Sequence, residues 1–430
     1  MKRSGKSTMS YYMNQLKAFA NLNDEDMALV EKCLNDIKPQ WDAITDMTQA
    51  NQIKVLNAFQ KNQVADFHLN GSTGYGYGDT GRDALERVWA DLFCAEKALV
   101  RSNLVSGTHA LATVLFGILR PGDEAVSISG LPYDTLQTVI GKDAYARGSL
   151  RELGITHESV PLKDNDFDEA AIRAAVSPST KMVLIQRSRG YDWRDSLSIE
   201  KIGRACDIVK SISEDIIIFV DNCYGEFVED REPLEVGADI IAGSLIKNPG
   251  GGLAPRGGYI AGKAELVEAS GERLTAPGIS EDVSSSLDFN RPAFQGLFMA
   301  PLIVEQALKG AVFSAAYLAA KGYHVSPTAT DHRTDIIQCV EFGDPDKLRK
   351  FCQGIQAASA LESYVTPYDD QLPGYDDPVI MAGGTFVQGS SIELSIDGPM
   401  REPFIGYMQG GLSLSHIIAS ICLAAKKMEG

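Results

Sequence analysis

The chain has 430 residues, 44% of them hydrophobic and 23% charged, with a formal net charge of −17 and a sequence pI near 4.8. An acidic surface of this kind argues against non-specific binding to nucleic acid or anionic membrane, so a phosphate or carboxylate ligand has to be held by a few local cations and amides. At roughly 150 residues per domain, the length suggests two or three domains.

The first fifteen residues, MKRSGKSTMSYYMNQ, are basic but lack the apolar core of a secretory signal. Residues 10–64 read as helical: Leu29, Val30, Cys33, Leu34 and Ile37 recur at helical spacing, and Asn23 or Asp24 is placed to cap that helix. Residues 70–82, NGSTGYGYGDTGR, read as a glycine-rich loop followed by a helix over about 83–93. From about 95 to 265 short apolar runs alternate with amphipathic stretches. Strands are expected at 97–101, 124–129, 181–186, 216–220, 239–244 and 258–261, and helices at 108–119, 133–141 and 199–214. Buried strands alternating with helices predict a mostly parallel α/β sheet, with its active site at the carboxyl ends of the strands. The last part, about 306–430, mixes helices with strands such as 336–341 and 391–395 and reads as a smaller α+β domain. The most apolar stretch of the chain, 417–425, is expected to be too short to span a bilayer. The division expected is a helical segment 1–70, a large α/β domain 71–305 and a small domain 306–430. The seven cysteines (Cys33, Cys94, Cys206, Cys223, Cys339, Cys352 and Cys422) form no CxxC pair and are odd in number, as in a cytoplasmic protein with buried, reduced thiols.

Three segments carry residue types that suit chemistry. Asp221 ends one apolar strand, and Lys247 follows the next, just before Gly250, Gly251 and Gly252. A carboxylate and a lysine at neighbouring strand ends suit pyridoxal phosphate (PLP): the lysine forms a Schiff base with its aldehyde, and the carboxylate keeps the pyridine nitrogen protonated. Such a lysine has to be partly desolvated to react as a free amine. An edge-of-strand aspartate and a surface lysine would give the same pattern. Ser106-Gly107-Thr108 lies between strand and helix, where helix N-terminal amides attract phosphate, although a plain N-cap reads the same way. Ser244, three residues before Lys247, is a second candidate for phosphate. Tyr133 opens a helix and either stacks on a cofactor ring or packs in the core.

The strings GYGYGDTGRDALE, SGTHAL, PGDE, PYDTL, IQRSRGYDWR, FVDNCYGEF, SLIKNPGGG and PMREPFIGYMQGGL spread over nearly the whole chain. Together they resemble the fold-type I PLP enzymes of Cys/Met metabolism, most closely the methionine γ-lyase-like family also labelled cystathionine β-lyase or aluminium-resistance-type. The resemblance implies an aspartate aminotransferase-like large domain with a mostly parallel seven-stranded sheet and a small C-terminal α+β domain. It also implies a homotetramer of PLP-sharing dimers, Lys247 as Schiff-base lysine, Asp221 on the pyridine nitrogen, and Tyr133 on the ring face. Gly107, Thr108 and Ser244, with Ser106, would hold phosphate. Tyr77 and Arg82 are the best matches for a tyrosine and an arginine that related lyases contribute from the neighbouring subunit, although their spacing departs from the usual tyrosine-x-arginine pattern. The activity implied is β- or γ-elimination on methionine, cystathionine or a cysteine-like amino acid, giving a thiol, ammonia and a 2-oxo acid. Lys247 would act as base at Cα, and Tyr133 or Tyr77 would assist with protons.

For the substrate α-carboxylate the first candidate is Arg401, because an arginine fork matches a carboxylate bidentately; Arg187 and Arg189 are rivals, and structural ion pairing would explain each equally well. GYGDTG at 76–81 fits G-x-G-x-x-G but follows a polar stretch in place of a strand, and GKST at 5–8 lacks the upstream half of a P-loop. His68, His109, His157, His324, His332 and His416 show no metal-ligand spacing; His109 either contacts the cofactor or caps and packs. Other reactions on the same fold (transamination, γ-replacement, desulfuration) and a non-catalytic PLP-binding protein are the alternatives. A cysteine at 223, in the presumed core, argues against the mobile thiol that desulfuration needs.

Overall fold

The computed structural model describes residues 9–142, 147–371 and 375–429, so GKST lies outside the described residues. The chain divides into two compact units: residues 46–304 with Arg333–Ile336, and the chain up to Thr45 with Glu305–His332 and Ile337 onward.

The larger unit holds seven strands: β1 (Lys97–Arg101), β2 (Glu124–Ser127), β3 (Thr156–Ser159), β4 (Met182–Gln186), β5 (Ile217–Asp221), β6 (Ile240–Ser244) and β7 (Gly258–Gly262). Their order is β1-β7-β6-β5-β4-β2-β3, and only β7 runs against its neighbours. This is the mostly parallel seven-stranded sheet expected. Its central strands read as unbroken apolar runs because both faces are covered: every residue of β4, β6 and β7 is buried. β3 was not expected. It is an edge strand, Thr156-His157-Glu158-Ser159, alternately exposed and half-buried, with no apolar run to mark it. The helix Gly107–Ile118 crosses the helix Ala264–Leu274 closely, since a Cβ on Gly117 would stand only 2.9 Å from Ala269 O.

In the smaller unit, β8 (His324–Ser326), β9 (Gln338–Glu341), β10 (Val379–Ala382), β11 (Ser395–Pro399) and β12 (Ile405–Gln409) form an antiparallel sheet in the order β10-β11-β12-β9-β8. The strand expected at 391–395 starts only at Ser395. Ahead of it Glu393, 4% exposed, accepts the backbone N–H groups of Phe386 and Val387, both at 2.8 Å, which commits that stretch to a loop.

The expected 1–70 segment does not stand alone. Met13, Leu16, Val30, Cys33 and Ile37 share one buried cluster with Leu318, Ile418 and Cys422. Asp26, itself 7% exposed, draws in Lys321 at 3.3 Å and Lys426 at 3.0 Å. The first 45 residues therefore belong with the C-terminal unit, and residues 46–70 with the large one. Asn23 caps the helix Asp24–Asp36 through a capping box with Asp26, as its position suggested. The helix Asn290–Ala320 is long and apolar enough to cross a membrane, but Phe294, Leu297, Ala300, Val304 and Ala311 on it are buried in protein, so it reads as a core helix. All seven cysteines are free thiols; Cys94 is exposed, against expectation, and the other six are buried.

Candidate functional site

β4, β5 and β6 run parallel, and the register sets Gln186 opposite Asp221 and Asp221 opposite Ala242, so their carboxyl ends finish together. That rim is where ligands bind in open α/β sheets. Asp221 ends β5 and accepts the Cys223 N–H at 3.1 Å. Burial raises its carboxyl above the ordinary range, against the pull of the nearby Lys247 ammonium.

Lys247 lies in the turn after β6. Its Nζ stands 3.9 Å from the centre of the Tyr224 ring. Tyr224 has φ +71°, a left-handed conformation uncommon outside glycine, which the loop after β5 imposes. Burial pushes the Lys247 amine down, but the acidic groups around it (Cys223, Tyr224, Asp221 and Glu226) push it up, and the net direction is up. The amine is desolvated, as a Schiff-base lysine requires, while its acidic neighbours favour the charged form. The Asp221 carboxyl at the end of β5 and the Lys247 amine act on each other.

The third segment meets these two. A Cβ on Gly107 would lie 3.4 Å from Ser244 Cβ and 3.6 Å from Cys223 Sγ, so the start of the helix Gly107–Ile118 rests against the ends of β5 and β6. Ser106 is its N-cap and accepts the His109 N–H at 3.0 Å. Thr108 Oγ1 bonds Thr135 Oγ1 at 2.7 Å, and Ser244 is 1% exposed. His109 Nδ1 accepts the Val105 N–H at 3.2 Å, which closes the turn before this helix and is the capping role. Tyr133 is the N-cap of the helix Asp134–Ile140; it is half-buried, its N–H donates to Gln186 Oε1 at 2.6 Å, and its ring meets Tyr191 edge-on at 5.4 Å. Gln186 at the end of β4 is a positioning group that sequence reasoning missed.

The arginines and the glycine-rich loop come out differently. Arg187 is fully buried and bonds Glu229 Oε2 at 2.9 Å, Asn222 Oδ1 at 2.8 Å and Glu232 Oε2 at 3.1 Å. Its guanidinium is thus engaged by the scaffold, the structural ion pairing that the sequence left open beside a substrate role. A Cβ on Gly225 would stand 2.4 Å from Arg187 Nε, so the loop after β5 is fitted around it. Arg189 is also buried, with Asp335 Oδ2 accepting its N–H at 3.2 Å. Arg401 lies in the smaller unit, is exposed, and pairs with Asp377 at 3.2 Å. Tyr77 is 70% exposed and stacks on the exposed Tyr75 at 5.5 Å. Arg82 is 5% exposed, sits within the helix Thr80–Leu92, and donates to Gly76 O at 2.9 Å and Ser284 O at 3.2 Å. It shapes the loop that presents Tyr77. Asp79 begins that helix three residues earlier than expected by accepting the Arg82 N–H at 2.9 Å, and among the described residues no strand precedes it, so the G-x-G-x-x-G pattern lacks the strand that a dinucleotide-binding context needs.

This arrangement has close counterparts. A Bacillus subtilis (strain 168) protein known as uncharacterized protein YnbB is 50% identical over 387 residues, covering 90% of this chain and 92% of its own. A solved structure from Listeria monocytogenes is 52% identical with a TM-score of 0.91, covering 93% of this chain and 99% of that one. A second, a carbon-sulfur lyase involved in aluminum resistance from Clostridium novyi NT, is 46% identical with a TM-score of 0.92, covering 98% and 99%. The methionine gamma-lyase profile matches residues 26–429, a span that takes in Gly107, Asp221, Ser244 and Lys247 together, and the chain belongs to that family.

Proposed function

We propose that this chain is a PLP-dependent carbon–sulfur lyase that eliminates a thiol from a sulfur-containing L-amino acid and leaves ammonia and a 2-oxo acid. The observation that carries the reading is the meeting of an amine, a carboxyl and a helix N-terminus: Lys247, Asp221 and Gly107. A relative named as a carbon-sulfur lyase supports it.

The residues present fit pyridoxal phosphate. Glycine at 107 keeps the helix N-terminus clear of a side chain beside Ser244, as close backbone approach to a phosphate needs. Ser106, Gly107, Thr108 and Ser244 would hold the phosphate, Asp221 the ring nitrogen, Tyr133 a ring face and Lys247 the aldehyde. When bound, the cofactor supplies an electron sink for the charge left at Cα. Lys247 Nζ would take the proton from Cα. Its acidic surroundings favour the charged form, so Nζ keeps that proton until a second group accepts it. A tyrosine hydroxyl, of Tyr133 or Tyr77, would protonate the leaving sulfur or move a proton at Cβ. The Arg187 guanidinium is held by Glu229 and Glu232, and Arg401 remains the first candidate for the substrate α-carboxylate, with Arg189 its rival. Tyr77 and Arg82 are assigned to the phosphate of a neighbouring subunit in a homotetramer, Tyr77 through its exposed ring and Arg82 through the loop it holds.

The test is a panel of methionine, cystathionine and cysteine with the PLP-loaded protein, following 2-oxo acid and thiol. Release of both by wild type and of neither by Lys247→Ala is expected. No 2-oxo acid from any of the three sinks the reading.

A further inference from the structure

One carboxyl near Lys247 has no role in this chemistry. Glu226, on the loop after β5, is 0% exposed. Its Oε1 accepts the Tyr259 hydroxyl at 2.8 Å, while its Oε2 is buried with no hydrogen-bond partner among the described residues. Its backbone carbonyl accepts Asn248 Nδ2 at 3.0 Å, which ties it to the residue after Lys247. Gly243 on β6 leaves room for the pair: a Cβ there would stand 2.8 Å from Tyr259 Oη and 2.9 Å from Glu226 Oε1.

Glu226 is acted on by its own backbone N–H, by Cys223 on the same loop, by Arg187 after β4, and by three further side chains. Tyr259 reaches it from β7, Lys247 from the turn after β6, and Glu232 from farther along its own loop, where Glu232 is paired with Arg187. A carboxylate with one oxygen dry is costly. Burial pushes Glu226 up to about 8; Glu232 adds to the push, and its own backbone N–H, the Tyr259 hydrogen bond and Lys247 oppose it. Burial thus holds the Glu226 carboxyl well above the ordinary carboxylate range, and Glu226 is one of the groups that raise the Lys247 amine.

We propose that Glu226 is a positioning residue for Lys247: by exchanging its proton with solvent it switches the local field that sets how much of Lys247 is free amine, and Tyr259 holds it in place to do so. The inference rests on Lys247 as the reacting amine and deepens that reading by assigning the group that regulates it.

The experiment measures reductive methylation of Lys247 by formaldehyde and cyanoborohydride in the full chain after hydroxylamine has stripped any aldehyde, quantified by peptide mass spectrometry across pH. In wild type the logarithm of the rate should rise with pH and break near about pH 8, where the new carboxylate stabilises the ammonium. Glu226→Gln should abolish the break, matching wild type near about pH 7 and labelling several-fold faster near about pH 9. Tyr259→Phe removes a hydrogen bond from the carboxylate and should move the break to higher pH. A wild-type profile with no break, or parallel profiles for wild type and Glu226→Gln, overturns the proposal. If Glu226→Gln does not fold, Tyr259→Phe decides alone, and an unmoved break overturns it. The readout needs neither bound PLP nor C–S cleavage, so a failed substrate panel with a shifted labelling profile sinks only the lyase reading.

Discussion

Lys247 Nζ stands 3.9 Å from the centre of the Tyr224 ring, and Tyr224 takes a left-handed backbone at φ +71° to put it there. A cation over an aromatic face gains about 0.5–2 kcal/mol, more as water is excluded. Tyr224→Leu should therefore destabilise the ammonium and speed Lys247 methylation at fixed pH by several-fold, whereas Tyr224→Phe, which keeps the ring but loses the phenol that also raises Lys247, should fall between leucine and wild type. Equal rates in the leucine and phenylalanine variants would remove the ring contact from the account.

Arg187 and Arg401 separate scaffold from substrate. Arg187→Met leaves Glu229 and Glu232 buried without their cation, which typically costs about 3–5 kcal/mol, read as a lower urea midpoint. The exposed Arg401–Asp377 pair stabilises the fold by only about 0–1 kcal/mol. Arg401→Ala should leave the urea midpoint almost unchanged while raising KM for the amino acid.

Gly225 is fitted to the Arg187 side chain, with Nε 2.4 Å from where a Cβ would be. Gly225→Ala forces that arginine or the loop to shift, an overpacking cost of about 1–3 kcal/mol. Because the same loop carries Tyr224 and Glu226, the variant should also lose cofactor absorbance at a PLP concentration that saturates wild type.

His157 on β3 bonds Ser127 Oγ on β2 at 2.8 Å, and burial lowers its imidazole to about 4. The unfolded chain takes up that proton near about pH 6.5, so the stability His157 contributes is present above that pH and is lost as pH falls toward 4. The wild-type advantage over His157→Asn in urea unfolding should shrink from pH 7 to about pH 4.5.

Much of the large unit could be read from the chain because its central strands are apolar runs with both faces covered; β1 matched its expected bounds and β4 to β7 came within a residue of theirs. β3 escaped because it is polar, and the stretch 391–394 misled because Glu393 bonds a loop instead of a strand. Lys247, Asp221 and Gly107 were legible since each sits at a strand-to-helix or strand-to-turn junction. Glu226 was not. Its burial depends on Tyr259, 33 residues on, arriving through the β6–β7 register, and no local pattern encodes that. The ion pairs of Arg187 were hidden for the same reason: its carboxylate partners lie 42 and 45 residues away on a loop fitted around it at Gly225.

The central claim is that Lys247 anchors pyridoxal phosphate. The most direct measurement is borohydride reduction of the PLP-loaded full chain followed by peptide mass spectrometry. The account expects the reduced pyridoxyl mass on Lys247, and its loss together with the visible absorbance in Lys247→Ala. A label on another lysine, or no label in a protein saturated with PLP, would contradict it.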